Sequence, residues 1–346
     1  MKRILILIIL ICIFATEAYA AELTAPPAPS EAQPYMPPQS KSFGADLWYI
    51  IKQALSGMFP SIKNATQICI SVIAVVLITA LIKNINSASG KSIELAGTIS
   101  IGAVLISSSN AMIRLAISTV ESMSDYGKLL LPVMTTALAG EGGVASSTAL
   151  YTGTVIFDTV LTSIIAKLIV PFLYAYLAVS IVMSAVDSAS LKNFKGIFKW
   201  LMTWTLKLGI YIFTGYLGIT KVVTGTTDAM ALKATKLTLS GTVPIVGGII
   251  SDASEAILVG TGLMKNTAGI YGIFAVISIC LVPFLTIGTQ YLLLKLTAGV
   301  CEMFHEGRHI SLIRDFTFAL GILLATTGTI CIVELVSIVC FLKGVS

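Results

Sequence analysis

The chain has 346 residues, of which 56% are hydrophobic and only 11% are charged, and its formal net charge is +5. An ordinary soluble chain is about 25% charged, so this composition excludes a typical globular domain and predicts an all-α polytopic membrane protein. The few excess lysines are spread over short polar links rather than gathered into a basic surface, so we expect no nucleic-acid partner.

The N-terminus has the pattern of a secretory leader. Lys2 and Arg3 precede a short apolar stretch, and the tripeptide Ala-Tyr-Ala at 18–20 has the small residues of a cleavage site. We therefore predict a cleavable signal peptide over 1–20. The mature N-terminus is then extracytoplasmic.

Two segments of different character follow the leader. Six of the eleven prolines fall within 21–42, which predicts an extended extracytoplasmic spacer. Apolar and polar residues then alternate at helical spacing over 43–62, which favours an amphipathic segment at the membrane interface. A helix packed on the rest of the same protein fits this second pattern equally well.

The rest of the chain is dominated by long apolar stretches. A membrane-spanning helix needs about 20 apolar residues, and eight stretches qualify: 66–82, 95–113, 147–166, 168–186, 200–219, 260–282, 284–300 and 316–342. The number falls to seven if the region around Pro283 crosses once. Two shorter stretches, 129–139 and 243–250, are predicted to be re-entrant or interfacial. Membrane lipid is therefore an expected partner.

The chain resembles itself at an offset of 112 residues. Pro132 falls on Pro244, and the tetrapeptide Val-Pro-Phe-Leu at 170–173 recurs at 282–285. A later Leu-Gly-Ile triplet recurs at the same offset. We interpret this as a duplication.

The duplication divides the membrane region into four parts. They are an N-terminal transmembrane pair at 63–128, a first repeat at 129–219, a connector at 220–242 and a second repeat at 243–346. With three crossings in each copy, the copies are predicted to be inverted relative to each other, as in many transporters. Eight crossings place Lys192, Lys195 and Lys199 outside, which conflicts with the usual cytoplasmic excess of basic residues.

Three charged residues lie well inside apolar stretches: Asp158, Lys207 and Glu334. Each costs roughly 2.5 to 3.5 kcal/mol on membrane-insertion scales, so each needs a partner, a water-filled cavity or an oligomer interior. Either they line a polar pathway, or they pair and fix the helix packing. Asp252 and Glu255 resemble a helix-capping box, with a gate as the alternative role.

One catalytic pattern is present. His305-Glu306-Gly307-Arg308-His309 matches the H-E-x-x-H motif of zinc proteases. We find no third ligand at a suitable spacing, and the duplication aligns the motif with a basic connector at 193–197. We therefore expect no metal, no cofactor and no enzymatic activity.

Several segments together carry a family resemblance. They are the leader, the spacer, the sequence PIVGGIISDASE at 244–255, KNTAG at 265–269, Pro283, and LKLTAGV at 294–300. With these segments the chain resembles the stage III sporulation protein AE family. The similarity covers most of the mature chain, and it is most specific between 244 and 302.

The resemblance implies a permease-like or channel subunit in the mother-cell membrane around the forespore of an endospore-forming bacterium. Such a subunit belongs to a secretion-like transenvelope complex that sustains forespore development. Its partners are a cytoplasmic ATPase and ring-forming proteins. Self-association into a homo-oligomer is a further possible interaction. The alternative is a membrane scaffold that conducts nothing. A third alternative is an intramembrane zinc metalloprotease acting through 305–309.

Overall fold

The computed structural model describes residues 25–38, 42–85, 90–140, 144–186, 189–224, 267–303 and 307–344. Regular structure in these ranges is entirely helical, so the predicted all-α class is confirmed for them. The predicted signal peptide, most of the connector, and the residues Asp252, Glu255 and His305 lie outside the described ranges. We number the described helices α1 to α7.

The first two helices follow each other with only a short turn between them. Helix α1 spans Phe43–Ser56, and its N-terminus is capped by Ser42, whose hydroxyl accepts a hydrogen bond from the Ala45 amide at 3.3 Å. A serine in this position satisfies an amide that the helix itself leaves unpaired. Helix α2 spans Phe59–Ile85 and contains the first predicted apolar stretch.

Helix α3 is the longest, spanning Gly90–Gly140 with Pro132 inside it. Its 51 residues reach about 77 Å at 1.5 Å per residue, so it extends well beyond a single membrane thickness. The stretch 129–139 belongs to this helix. The prediction of a separate re-entrant or interfacial segment there is therefore wrong.

Helix α4 runs through a point where we predicted two separate spans. It consists of Val144–Ile164, a π-helical turn at Ile165–Ile169, and Val170–Ala185, with helical backbone angles at both junctions. Pro171 stands just after the wider π turn. Because a π turn relaxes the usual hydrogen-bond register, the proline ring and its missing N–H are accommodated without ending the helix. The predicted break between 147–166 and 168–186 is wrong.

The last three helices are also long. They are α5 at Ala189–Thr224, α6 at Thr267–Glu302 and α7 at Arg308–Gly344. Pro283 lies inside α6, so the predicted spans 260–282 and 284–300 form one helix over their described residues. Membrane helices tolerate an internal proline when neighbouring helices surround it.

Five of the described helices are long and apolar enough to cross a membrane. These segments are Phe59–Ile85, Ser92–Ala137, Ser147–Ala185, Ala268–Glu302 and Arg308–Leu342. The sixth long helix, α5, is not among them and carries several lysines. Eight predicted stretches thus become six long helices because two neighbouring pairs are each continuous.

The long helices alternate in direction, which gives the bundle two distinct ends. At one end, which we call the basic end, Thr98 contacts His309 at 2.9 Å and Arg308 donates to the Ala185 carbonyl at 3.3 Å. The last turns of α2, α4 and α6 and the first turns of α3, α5 and α7 all lie there. Lys83 also pairs with Glu94 at this end, at 3.5 Å.

The opposite end carries the N-terminal segment, and we call it the N-terminal end. The Tyr126 hydroxyl donates to the Pro26 carbonyl at 3.5 Å, and the Ala28 amide donates to the Tyr271 hydroxyl at 3.3 Å. Ala28 and Ala32 are fully buried. Residues 25–38 are thus packed on α3 and α6, in contrast to the free extended spacer that we expected.

The predicted duplication can be compared with the helices directly. At an offset of 112 residues, α4 and α5 correspond to α6 and α7, and Pro171 corresponds to Pro283. Each copy therefore contains two long helices in the described residues rather than three. The odd number of crossings on which the inverted arrangement depended is not present in these ranges.

Candidate functional site

Two of the three predicted intramembrane charges meet in the centre of the bundle. Asp158 lies on α4 and Glu334 on α7, and their side chains are only 2% and 1% exposed. Ser124 contacts Asp158 and Gly127 faces Glu334, and these two residues are only three positions apart on α3, so the carboxyl groups are close enough to interact electrostatically. The sequence grouped these residues by composition, and the fold makes them neighbours. We call Asp158 and Glu334 the carboxyl pair.

Helix α3 supplies the third side of the site. The Ser124 hydroxyl donates a hydrogen bond to Asp158 Oδ2 at 2.6 Å. One turn later, Gly127 gives Glu334 its space, because a Cβ atom at 127 would lie 2.7 Å from Glu334 Oε1. No side chain larger than hydrogen fits there without moving the glutamate. The glycine therefore allows three helices to converge on the carboxyl pair.

Most of the oxygen atoms in this site have no donor. Asp158 Oδ1 and both carboxyl oxygens of Glu334 are buried without a hydrogen-bond partner, and so is Thr162 Oγ1 one turn after Asp158. A buried polar group without a partner is costly. Chemically, the site is a buried, acceptor-rich cluster that suits a proton or a cation.

The third predicted charge lies elsewhere. Lys207 is exposed on the outer face of α5, and its exposed neighbours Trp204 and Tyr211 are 48% and 50% accessible. It does not reach the carboxyl pair. The predicted set of three is therefore one buried pair and one separate surface lysine.

The predicted zinc motif is only partly described. His309 is buried, and its Nδ1 atom lies 2.9 Å from the Thr98 hydroxyl on α3. In the described parts of the chain, no group of three or more histidine, cysteine, aspartate or glutamate residues is arranged to hold a metal. Asp252 and Glu255 remain a predicted cap or gate, since they fall outside the described ranges.

Sequence reasoning missed a second polar cluster at the basic end. Asp315 accepts hydrogen bonds from Lys195 at 2.8 Å and from the Tyr176 hydroxyl at 2.9 Å. Nearby, Arg314 pairs with Glu302 at 2.6 Å. Asp315, Tyr176, Arg314 and Glu302 border a cleft of about 480 Å³.

The duplication contained a signal for this cluster. Lys195 lies near the start of α5 and Asp315 near the start of α7, which are the corresponding helices of the two copies. Opposite charges near equivalent helix starts would pair if the two copies pack side by side. The sequence prediction did not include this pairing, because it did not consider opposite charges near the starts of the two helices.

Comparison with known proteins places the chain in a family. The family model described as stage III sporulation protein AE matches residues 36–343, which is most of the chain. The chain belongs to the stage III sporulation protein AE family. The resemblance predicted from the sequence is therefore confirmed, and the chain is a sporulation-family protein with several helices suited to a membrane.

One relative shows how far this similarity reaches. The stage III sporulation protein AE of Bacillus subtilis (strain 168) is 21% identical over 197 residues, which is 57% of this chain. The matched region spans about half of that relative, 49% of its length. No solved structure matches the chain.

Proposed function

We propose that this chain is a multi-pass, permease-like or channel subunit of a transenvelope complex that joins the mother cell and the forespore. Its family is a sporulation family, and five of its helices can cross a membrane. The observation that carries the pathway proposal is the carboxyl pair, because ionisable groups inside an apolar bundle are characteristic of ion and substrate pathways. Lys207 would contribute to such a pathway only from the surface of the subunit.

The orientation that we propose has the basic end in the cytoplasm of the mother cell. Basic residues flank all three links at this end: Lys83, Lys91, Lys192, Lys195, Lys199, Arg308 and Arg314. Cytoplasmic loops normally carry such an excess. With α4 as one helix, Lys192, Lys195 and Lys199 lie at the end opposite residues 25–38, which supports a cytoplasmic position for these lysines when the N-terminal segment is exported.

The partners we propose follow from this orientation. A cytoplasmic ATPase would meet the basic end, and ring-forming proteins would meet the N-terminal end, where residues 25–38 cover α3 and α6. Lys207 and the aromatic residues around it on α5 offer a face for a second copy or another subunit. A single charge on a lipid-facing helix is more favourable when a partner covers it.

A non-conducting scaffold is the alternative, and the dense packing around α7 favours it. Helix α7 is almost entirely buried, and the bundle interior around it is filled by side chains. A scaffold requires only that the carboxyl pair hold α3, α4 and α7 together. A pathway requires that the same residues meet water or an ion during function.

Genetic replacement separates the two functions. The double variant Asp158→Asn, Glu334→Gln keeps the shape of both side chains and removes their charge, and it would be placed in a spore-forming host that lacks its own copy. With normal protein levels on immunoblots, the pathway proposal expects loss of late forespore gene expression, whereas full expression would support the scaffold. Asp125→Asn, an exposed carboxyl on α3, is the matched control.

A further inference from the structure

The carboxyl pair has an excess of hydrogen-bond acceptors. Of its four carboxyl oxygens, one receives the Ser124 hydroxyl and three have no donor. An ionised carboxylate can only accept hydrogen bonds. Two ionised groups in contact therefore cannot bond to each other, although Asp158 and Glu334 lie within bonding reach.

No positive charge faces the pair within the described residues. Helix α3 presents Ser124 and Gly127. Among the described residues, Cys331 of α7 is the other titratable side chain that interacts with Glu334. Cys331 in turn approaches Cys280 of α6.

The nearest basic groups are engaged elsewhere or face outward. Lys128 pairs with Asp125 at 2.9 Å on the exposed side of α3, and Lys207 is exposed on α5. Helix α5 meets α4 near the site through aromatic rings, with Phe213 and Phe157 centred 4.8 Å apart. Two uncompensated negative charges would have to leave water together, which is strongly unfavourable.

We propose that Asp158 and Glu334 form a proton-binding site in which one proton lies between the two carboxyl groups. The proton turns one acceptor oxygen into a donor, creates an O–H···O bond and removes one of the two adjacent negative charges. Paired carboxyl groups elsewhere share a proton for the same electrostatic reason. The Ser124 hydroxyl then stabilises the charge that remains on Asp158.

A proton suits this site better than a metal ion. Divalent metal ions such as calcium need about six to eight oxygen ligands, whereas the described groups provide two carboxyl side chains and few hydroxyls. Glu334 also lies directly against the backbone of Gly127, which leaves little room. The bound proton is inferred from the site itself. Only its role in transport rests on the proposed pathway.

Infrared spectroscopy of the purified full-length chain in lipid nanodiscs tests the bound proton directly. At neutral pH we expect the C=O stretch of a protonated carboxylic acid, shifted in D2O. It should be lost in the double variant Asp158→Asn, Glu334→Gln and retained in Asp125→Asn. Absence of the band in the wild-type chain, or its persistence in the double variant, would overturn the proposal.

A second measurement uses only the wild-type chain. A hydrophobic carbodiimide adds the O–H of a protonated carboxyl across its C=N bond, and mass spectrometry of peptides locates the adduct. We expect modification at Asp158 or Glu334 that declines as the pH rises, and none at Asp125. No adduct on either member of the pair would contradict the proposal.

Adding sodium ions distinguishes a proton site from a sodium site. If added sodium at fixed neutral pH removes both the infrared band and the adduct, sodium displaces the proton, and the assignment of the site to a proton alone is wrong. The outcome of these assays does not depend on sporulation. A bound proton combined with normal late forespore gene expression in the double variant would refute the pathway and leave the proton site standing.

Discussion

Helices α5 and α7 present the same sequence signal in opposite surroundings. Each is the second long helix of its copy in the predicted duplication, and each contains one charged residue in an apolar stretch. Glu334 of α7 is 1% exposed and contacts α3 and α4. Lys207 of α5 is exposed on the outside of the bundle. The charge alone therefore does not reveal whether a residue belongs to an internal site.

The two helices differ because α7 is central and α5 is peripheral. Nearly all of the α7 surface is covered by neighbouring helices, so a charge on any of its faces meets protein. On α5, large side chains such as Trp200 and Ile212 remain exposed alongside Lys207. We expect substitutions on α7 and its contacts to affect the isolated chain, and substitutions on the α5 face to affect assembly.

The largest expected effect comes from filling the space beside Glu334. Gly127→Leu places a branched side chain where a Cβ atom alone would lie 2.7 Å from the glutamate oxygen. Overpacking of this kind should lower the free energy of unfolding by about 3 kcal/mol. The melting temperature of the detergent-solubilised protein, followed by size-exclusion chromatography, measures the loss.

Gly196→Leu on α5 is the matched control. A Cβ atom at 196 would meet nothing within 4 Å, and leucine favours a helix over glycine by up to about 1 kcal/mol. Stability should therefore stay the same or rise. An equal loss of stability in Gly127→Leu and Gly196→Leu would contradict the difference between the filled space around α7 and the open face of α5.

The next effect concerns the ion pair that joins α5 to α7. Asp315→Ala removes the partner of Lys195 and of the Tyr176 hydroxyl, both within 2.9 Å. Since hydrogen bonds to charged groups contribute about 1.5 to 3 kcal/mol, we expect a loss of about 2 kcal/mol in thermal unfolding. Glu302→Ala breaks the exposed pair with Arg314 and should cost at most about 1 kcal/mol. Equal losses would contradict the greater contribution expected from the buried Asp315.

A smaller effect is expected from the donor to the carboxyl pair. Ser124→Ala removes the 2.6 Å hydrogen bond to Asp158 and should cost about 1.5 kcal/mol. Ser118→Ala on the same helix removes only a local bond to the Leu115 carbonyl on the exposed face. The control should change the melting temperature little. A Ser124 variant as stable as this control would refute a structural role for the bond.

The smallest effect is expected at the outer lysine. Lys207→Ala should change the stability of the isolated chain by no more than about 0.5 kcal/mol, as is usual for exposed substitutions. Co-purification with other members of the complex should fall if the α5 face is an interface. A large loss of stability in the isolated chain would mean that Lys207 has an internal partner.

The sequence predicted the helical class and the approximate location of the apolar segments. It did not predict the continuity of the helix at Pro171, and it left continuity at Pro283 open, because proline normally ends a helix. In the structure, a π turn accommodates the first proline, and the surrounding bundle accommodates the second. These are effects of local register and tertiary packing that a hydrophobicity pattern does not contain.

The candidate site was predictable only in part. Burial costs singled out Asp158 and Glu334, but their contact depends on three helices from distant parts of the chain. Gly127 and Ser124 gave no signal, since a glycine and a serine in an apolar helix have many ordinary roles. Lys207 was grouped with the pair for the same energetic reason, and only the fold separates it.

Accessibility of the two ends of α4 tests the central claim that this helix crosses the membrane once. Cysteines introduced as Gly142→Cys and Ser188→Cys would be treated with a membrane-impermeant thiol reagent in intact cells. Of the native cysteines in the described residues, Cys69, Cys280, Cys301 and Cys331 are buried and Cys340 is half-buried, so the chain without an introduced cysteine measures the background. We predict labelling at 142 and protection at 188 until the membrane is opened. Labelling of both positions from outside would mean that the chain crosses the membrane twice between 142 and 188, which would contradict a single crossing by α4.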